Sequence, residues 1–234
     1  LKFLRSAARY LFIICLPVIL LTSTVRYEFS SLPVYEHGFE KYAISHVTGI
    51  EETQLTEIAQ SLVDYFGFNS KTPQYILEKN GRSSPLFGPH ELIHLEDVRN
   101  LLSTNNTVFY GTLAYLVLYS LFSLAKRRNN WQKLARGVFH GCLLTLVLLA
   151  ATGIIAYFNF EQLFLQFHHL VFTNPYWMLN PARDYLIMLF PAPFWEDVAI
   201  LGAGVTAGKA IVLGGAVRAT LFLCLRNGEK ACEG

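Results

Sequence analysis

The chain has 234 residues, of which 53% are hydrophobic, 14% aromatic and only 15% charged, whereas soluble domains carry about 25% charged residues. The net charge of +2, with no long basic run interleaved with aromatics, gives no sign of a nucleic-acid partner. Cys15, Cys142 and Cys224 fall in apolar stretches and Cys232 in the C-terminal tail, so neither a disulfide framework nor an external thiol nucleophile is expected.

The composition predicts an all-α membrane protein with four transmembrane helices, an extracytoplasmic, mostly helical cap and an interfacial aromatic-rich segment. Residues 1–25 form the first span, with Lys2, Arg5 and Arg9 at its start. Thr22-Ser23-Thr24-Val25-Arg26 is not an A-x-A cleavage site, and Ile14 is too bulky to precede a lipoprotein acceptor at Cys15, so a retained helix is expected. Residues 26–106 make the cap, with eleven acidic against six basic side chains. A second span, 107–125, leads to a basic loop, 126–137, carrying Lys126, Arg127, Arg128, Lys133 and Arg136. The third span is 138–157, the aromatic segment 158–196, the fourth span 197–225 and the tail 226–234. The spans come near the roughly 20 residues a bilayer requires. Basic residues favour the cytoplasmic side, so both termini are expected there and the cap outside.

Within the cap, Leu55, Ile58, Ala59, Leu62, Val63 and Phe66 follow the spacing of an amphipathic helix stopped by Gly67. Residues 74–77 and 86–87 flank Asn80-Gly81, a hairpin turn signal. Pro89 opens a further helix expected to end near Leu102. His90, His94, Asp97 and Leu101 share one of its faces, and Asp97 lies where a carboxylate orients the His94 imidazole.

This helix contains His90-Glu91-Leu92-Ile93-His94, a match to H-E-x-x-H, in which two histidines one turn apart bind zinc and the glutamate is the base. A membrane zinc metalloprotease using His90, Glu91 and His94 is therefore the alternative function. It needs a third ligand, for which Glu96, His168, His169 and Asp184 compete without a recognisable motif, and no glycine turn follows. We therefore expect neither metal nor cofactor. A serine hydrolase lacks G-x-S-x-G. A transporter would place polar groups deep in several spans, and only Lys209 qualifies, among glycines that favour close helix packing. His37, His46 and His140 read as structural.

Segment 158–196 crowds aromatic residues around His168, His169, Asn174, Arg183 and Asp184. Interfacial anchoring accounts for aromatics at its ends. Polar groups in its apolar centre are costly unless paired, and invite a functional reading. Asn174-Pro175 and Asn180-Pro181 mark turns.

Two blocks carry a resemblance. One is Glu91-Leu92-Ile93-His94-Leu95-Glu96-Asp97-Val98-Arg99. The other is Phe167-His168-His169-Leu170-Val171-Phe172-Thr173-Asn174-Pro175-Tyr176-Trp177, continuing through Leu179-Asn180-Pro181 and Asp184-Tyr185-Leu186-Ile187 to Phe190-Pro191. Together they resemble the lipoprotein intramolecular transacylase (Lit) family of bacterial membrane proteins, and the layout of the whole chain is similar. The resemblance implies an acyltransferase of the bacterial cell membrane working at the outer leaflet. It would act on a diacylated bacterial lipoprotein and move the sn-2 acyl chain to the α-amino group of the N-terminal cysteine, giving a lyso-form lipoprotein.

By the same resemblance His94 and His168 are catalytic, with His169 a neighbour that competes for the second role. An intramolecular transfer needs no enzyme nucleophile, only proximity and proton management. One histidine would take the amine proton while the other stabilises the oxyanion or protonates the leaving oxygen. The spacing favours His94, oriented by Asp97, as the base, but the roles are interchangeable. Asn174 is either an oxyanion donor or a turn residue. Phe167 and Trp177 either line the substrate cavity or anchor the interface. Asp184 pairs with Arg183 or Arg99, either buried or at the surface.

Overall fold

The computed structural model describes residues 2–79, 81–126 and 131–232. Asn80 of the expected turn, Arg127 and Arg128 of the basic loop, and the last two residues of the tail lie outside them. The order is α1 (Lys2–Phe29), α2 (Leu32–Lys41), α3 (Ile44–Thr48), α4 (Glu52–Phe66), β1 (Ile76–Lys79), β2 (Arg82–Pro85), α5 (Pro89–Lys126), α6 (Trp131–Val171), α7 (Tyr185–Leu189) and α8 (Ala192–Cys232). Helices α1, α5, α6 and α8 are each long and apolar enough to cross a membrane. α5, α6 and α8 outrun the windows read from hydropathy, while α1 keeps close to its own. Two compact units divide the chain: one comprises residues 1–24, 106–154 and 202–234, the other 25–105 and 155–201.

The first unit is a helical bundle held by close approach at small residues. A Cβ on Gly141 would lie 2.5 Å from Leu16 Cβ, and one on Gly214 would lie 3.1 Å from Cys142 Cβ. Leu20, Cys142 and Ala210 form the buried centre. Lys209 Nζ donates to Ser23 Oγ at 3.1 Å and Thr24 Oγ1 at 3.0 Å, and Thr24 Oγ1 is 2.8 Å from Thr206 Oγ1. The lysine in the last span is therefore solvated by hydroxyls of a neighbouring helix.

The second unit has its own apolar core. Leu55, Ile58, Ala59, Leu62, Tyr65 and Phe66 of α4 are all buried, so the spacing read from sequence is the packed face of this helix. Burying side chains of this size contributes about 1.5–3 kcal/mol each. Gly67 caps α4 in a right-handed conformation, and the left-handed position falls instead on Phe68, at φ 65°. The hairpin pairs β1 with β2 antiparallel, from Ile76 opposite Pro85 to Lys79 opposite Arg82, and Gly81 turns at φ 70°.

Two helices depart from expectation. α5 does not end near Leu102 but runs unbroken from Pro89 to Lys126. The polar stretch after Leu102 contains neither Pro nor Gly, and hydroxyls in such positions can fold back, as Thr104 Oγ1 does onto Asn100 O at 3.1 Å. α6 continues past the apolar window to Val171 but breaks at Asn159, where φ is −161° and ψ 66°. Asn159 Oδ1 accepts the Gln162 N–H at 3.2 Å, the geometry of an N-cap, so a separate short helix starts there.

Candidate active site

The site lies within the second unit. The first turn of α5 is fixed by Glu91, whose Oε2 accepts the Gly88 N–H at 2.7 Å, closing back on the helix start as a capping box does. Its Oε1 accepts the Leu186 N–H at 2.7 Å, which ties the beginning of α7 to α5. One turn further along α5, His94 turns inward and is only 8% exposed.

His168 sits near the end of the short helix that starts at Asn159 and is equally buried. The two imidazole centroids are 6.1 Å apart, and Phe172 packs against both, at 5.0 Å from His94 and 5.4 Å from His168. Phe164 at 4.3 Å, Trp177 at 5.1 Å and Phe167 at 5.5 Å complete the surround of His168. Residues 74 positions apart thus share one aromatic cluster. His169 is exposed and meets the edge of Trp177 at 4.9 Å, so the histidine facing His94 is His168.

The two rings are held differently. His168 Nδ1 lies 2.8 Å from Phe164 O. A carbonyl only accepts, so Nδ1 carries the proton and Nε2 of the neutral ring presents a lone pair. His94 Nδ1 is buried without a hydrogen-bond partner among the described residues. Burial, reinforced by His168, lowers the His94 pKa to about 4, although Asp97 pulls the other way. Burial also lowers that of His168, against the opposing pull of the Phe164 carbonyl. Both rings are neutral at pH 7.

Asp97 does not orient His94 as the spacing suggested. Its Oδ2 accepts from Asn174 Nδ2 at 2.7 Å. Asn174 also makes its turn, through Tyr176 N–H to Oδ1 at 3.1 Å. Asp184 is buried; its Oδ2 accepts the Asn180 N–H at 2.6 Å and lies 3.2 Å from His90 Nε2, and Oδ1 lies 3.3 Å from Arg183 Nε. Burial raises its pKa, but Asn180, His90 and Arg183 outweigh that and hold the carboxyl below its ordinary value. Arg99 is not its partner: the guanidinium stacks over Tyr65 at 4.5 Å and Phe68 at 5.0 Å and donates to Ser70 O at 2.9 Å.

The zinc arrangement read from H-E-x-x-H is not assembled. His90 turns to Asp184 while His94 packs against His168 and Phe172. The ligand atoms of His90, Glu91 and Asp184 lie within 4.8 Å of one another, but both Glu91 oxygens already accept backbone N–H groups. Sequence reasoning missed the Phe164 carbonyl, the Phe172 ring packed against both imidazoles and the tie from Glu91 to Leu186. Only the four-residue spacing of Phe164 and His168 on one helix hinted at the first.

The family model of the lipoprotein intramolecular transacylase Lit matches residues 10–195. The chain belongs to the Lit family. An in meso structure of the membrane integral Lit from Bacillus cereus superposes with a TM-score of 0.79 at 20% identity, covering 97% of this chain and 99% of that one. The same Bacillus protein with a histidine-to-arginine mutation gives 0.77 at 19% identity, covering 97% and 96%. The shared fold is thus that of a multi-pass membrane protein. A protein of unassigned function from Aquifex aeolicus is 32% identical over 127 residues, 53% of this chain and 53% of that relative. The chain thus spans about half the length of this curated relative. Both halves of the histidine pair fall inside the stretch matched to the Lit family.

Proposed function

We propose that this Lit-family protein moves the sn-2 acyl chain of a diacylglyceryl lipoprotein to the α-amino group of its N-terminal cysteine. The observation that carries the reading is the buried His94–His168 pair, 6.1 Å between centroids, on an aromatic wall. Donor ester and acceptor amine belong to one substrate molecule, so the protein needs to fold them together and move protons. Proximity of that kind replaces a nucleophilic side chain and contributes several kcal/mol.

His168 is the better placed base. Its Nδ1 proton is committed to Phe164 O, leaving Nε2 to take the proton as the amine nitrogen bonds to the sn-2 carbonyl carbon. An α-amino group has a pKa of about 8, close enough to neutrality for imidazole to accept its proton. His94, neutral and without a protein partner at Nδ1, stabilises the oxyanion of the tetrahedral intermediate by hydrogen bonding. Collapse breaks the bond to the glyceryl oxygen, which leaves with the proton His168 received. The amide and a free sn-2 hydroxyl result. Phe167, Phe172 and Trp177 line the place of the acyl chain or glyceryl group, and His169 stands outside it.

The outer leaflet is the proposed side of action, since the cap carries net negative charge and the basic residues cluster in 126–137 and at the two ends. Expression in a host that makes diacylated lipoproteins, followed by fragmentation of their N-terminal peptides in a mass spectrometer, tests the activity. Lyso-form product should appear with the natural chain and fall by roughly 10²- to 10⁴-fold with His94→Ala or His168→Ala, the usual range for losing an acid–base group. His90→Ala should retain most of it, whereas a zinc protease would lose everything. An unaltered diacyl pattern sinks the proposal.

A further inference from the structure

Asp97 is a carboxylate with no cationic partner among the described residues: the recorded ion pairs join Lys41 to Asp197 and place His90 and Arg183 at Asp184. It is only partly exposed, and it accepts a hydrogen bond from the neutral Asn174 amide. Partial burial without a counter-charge is costly. Its neighbours do not supply that charge. On its own helix His94 is neutral at pH 7. From the segment packed against it come the Asn174 amide and, six residues before it in the chain, the neutral His168 ring. Asp97 nevertheless lies one helical turn after His94 on α5 and is tied by Asn174 to the segment that follows His168, which puts this charge beside the histidine pair.

On the transacylase reading, the substrate brings the missing cation. Near neutrality an α-amino group with a pKa of about 8 arrives mainly as ammonium. We propose that Asp97, held in place by Asn174, is the docking point for the α-ammonium group of the lipoprotein N-terminus. The carboxylate collects the protonated amine beside the histidine pair, and the neutral rings do not repel it. A lipoprotein whose amine is already acylated loses this contact. Asn174 is then a positioning residue, because one of its amide hydrogens fixes the carboxylate and its oxygen fixes the turn.

The test uses ether-linked lipopeptides, which cannot transfer a chain and therefore report binding alone. A dialkylglyceryl-cysteinyl peptide with a free amine is compared with its deamino analogue on the full-length protein in detergent. Wild type should prefer the amine about tenfold, the scale of one partly buried charge-assisted hydrogen bond. Asp97→Asn should bring the two ligands to equal affinity, and Asp97→Glu should restore part of the preference. A preference that persists in Asp97→Asn, or is absent from wild type while both ligands bind, overturns the subsite and leaves the transacylase reading standing. If neither lipopeptide binds wild type, both readings fall.

Discussion

A backbone carbonyl settles the proton inventory of the pair. Because Phe164 O takes the Nδ1 proton of His168, the ring has one usable tautomer and its Nε2 is the basic atom. His94 has no such partner and is set instead by its apolar surroundings, which bring its pKa to about 4 from an ordinary 6.5. Stability follows with a definite sign. Between these values an unfolded chain binds a proton on this histidine and the folded chain does not, so acid favours unfolding. The stabilising difference is complete above pH 6.5 and disappears as pH falls toward 4. His168 acts in the same direction. Replacing His94 with Phe should remove a contribution on the order of 3 kcal/mol from the acid sensitivity. Thermal unfolding of the two proteins in detergent from pH 7 to pH 4 checks this: the wild-type midpoint should drop more steeply, and parallel curves would refute it. None of this could be read from the residue string. The deciding atom is main-chain oxygen, and the partner of Asp97 lies 77 residues away. His94 and His168 themselves were visible, because polar side chains among aromatic and aliphatic neighbours stand out.

Glu91 does structural work at the level of elements. One carboxylate closes the N-terminus of α5 and grips the start of α7, so the helix with His94 and the segment running back to Asn174 share an anchor. Glu91→Ala would strand two backbone N–H groups, one of them buried, at a cost of about 2–4 kcal/mol. Glu91→Gln keeps an acceptor for only one and should lose about half as much. Thermal midpoints of both variants measure it, and an unchanged value for the alanine form would contradict the assignment. Helix α4 and the hairpin were legible because their signals are local: apolar spacing on one face and a glycine turn between extended runs. The lengths of α5 and α6 were not. Hydropathy marks only the part of a helix that is apolar all round, and residue type does not mark where it stops: α5 runs through Gly111 and α6 through Gly137, Gly141 and Gly153. The one interruption in α6 is an asparagine within an aromatic run, a residue too common to stand out.

Across the whole molecule, charge and hydropathy argue for one topology. On the proposed topology of four spans, the basic residues at 2, 5 and 9, in 126–137 and from 218 to 230 would share one side and the acidic cap would take the other. A fluorescent protein fused at the C-terminus should mature in the cytoplasm, and alkaline phosphatase fused within residues 26–106 should be active. The reverse result would invert the proposed side of action. The break at Asn159 then has a mechanical meaning. Each residue added to a continuous helix turns everything beyond it by about 100°, so along unbroken α5 the residue count fixes the bearing of each side chain. In α6 the helix stops at Asn159 and restarts, so the count that sets the bearing of His168 runs only from Asn159.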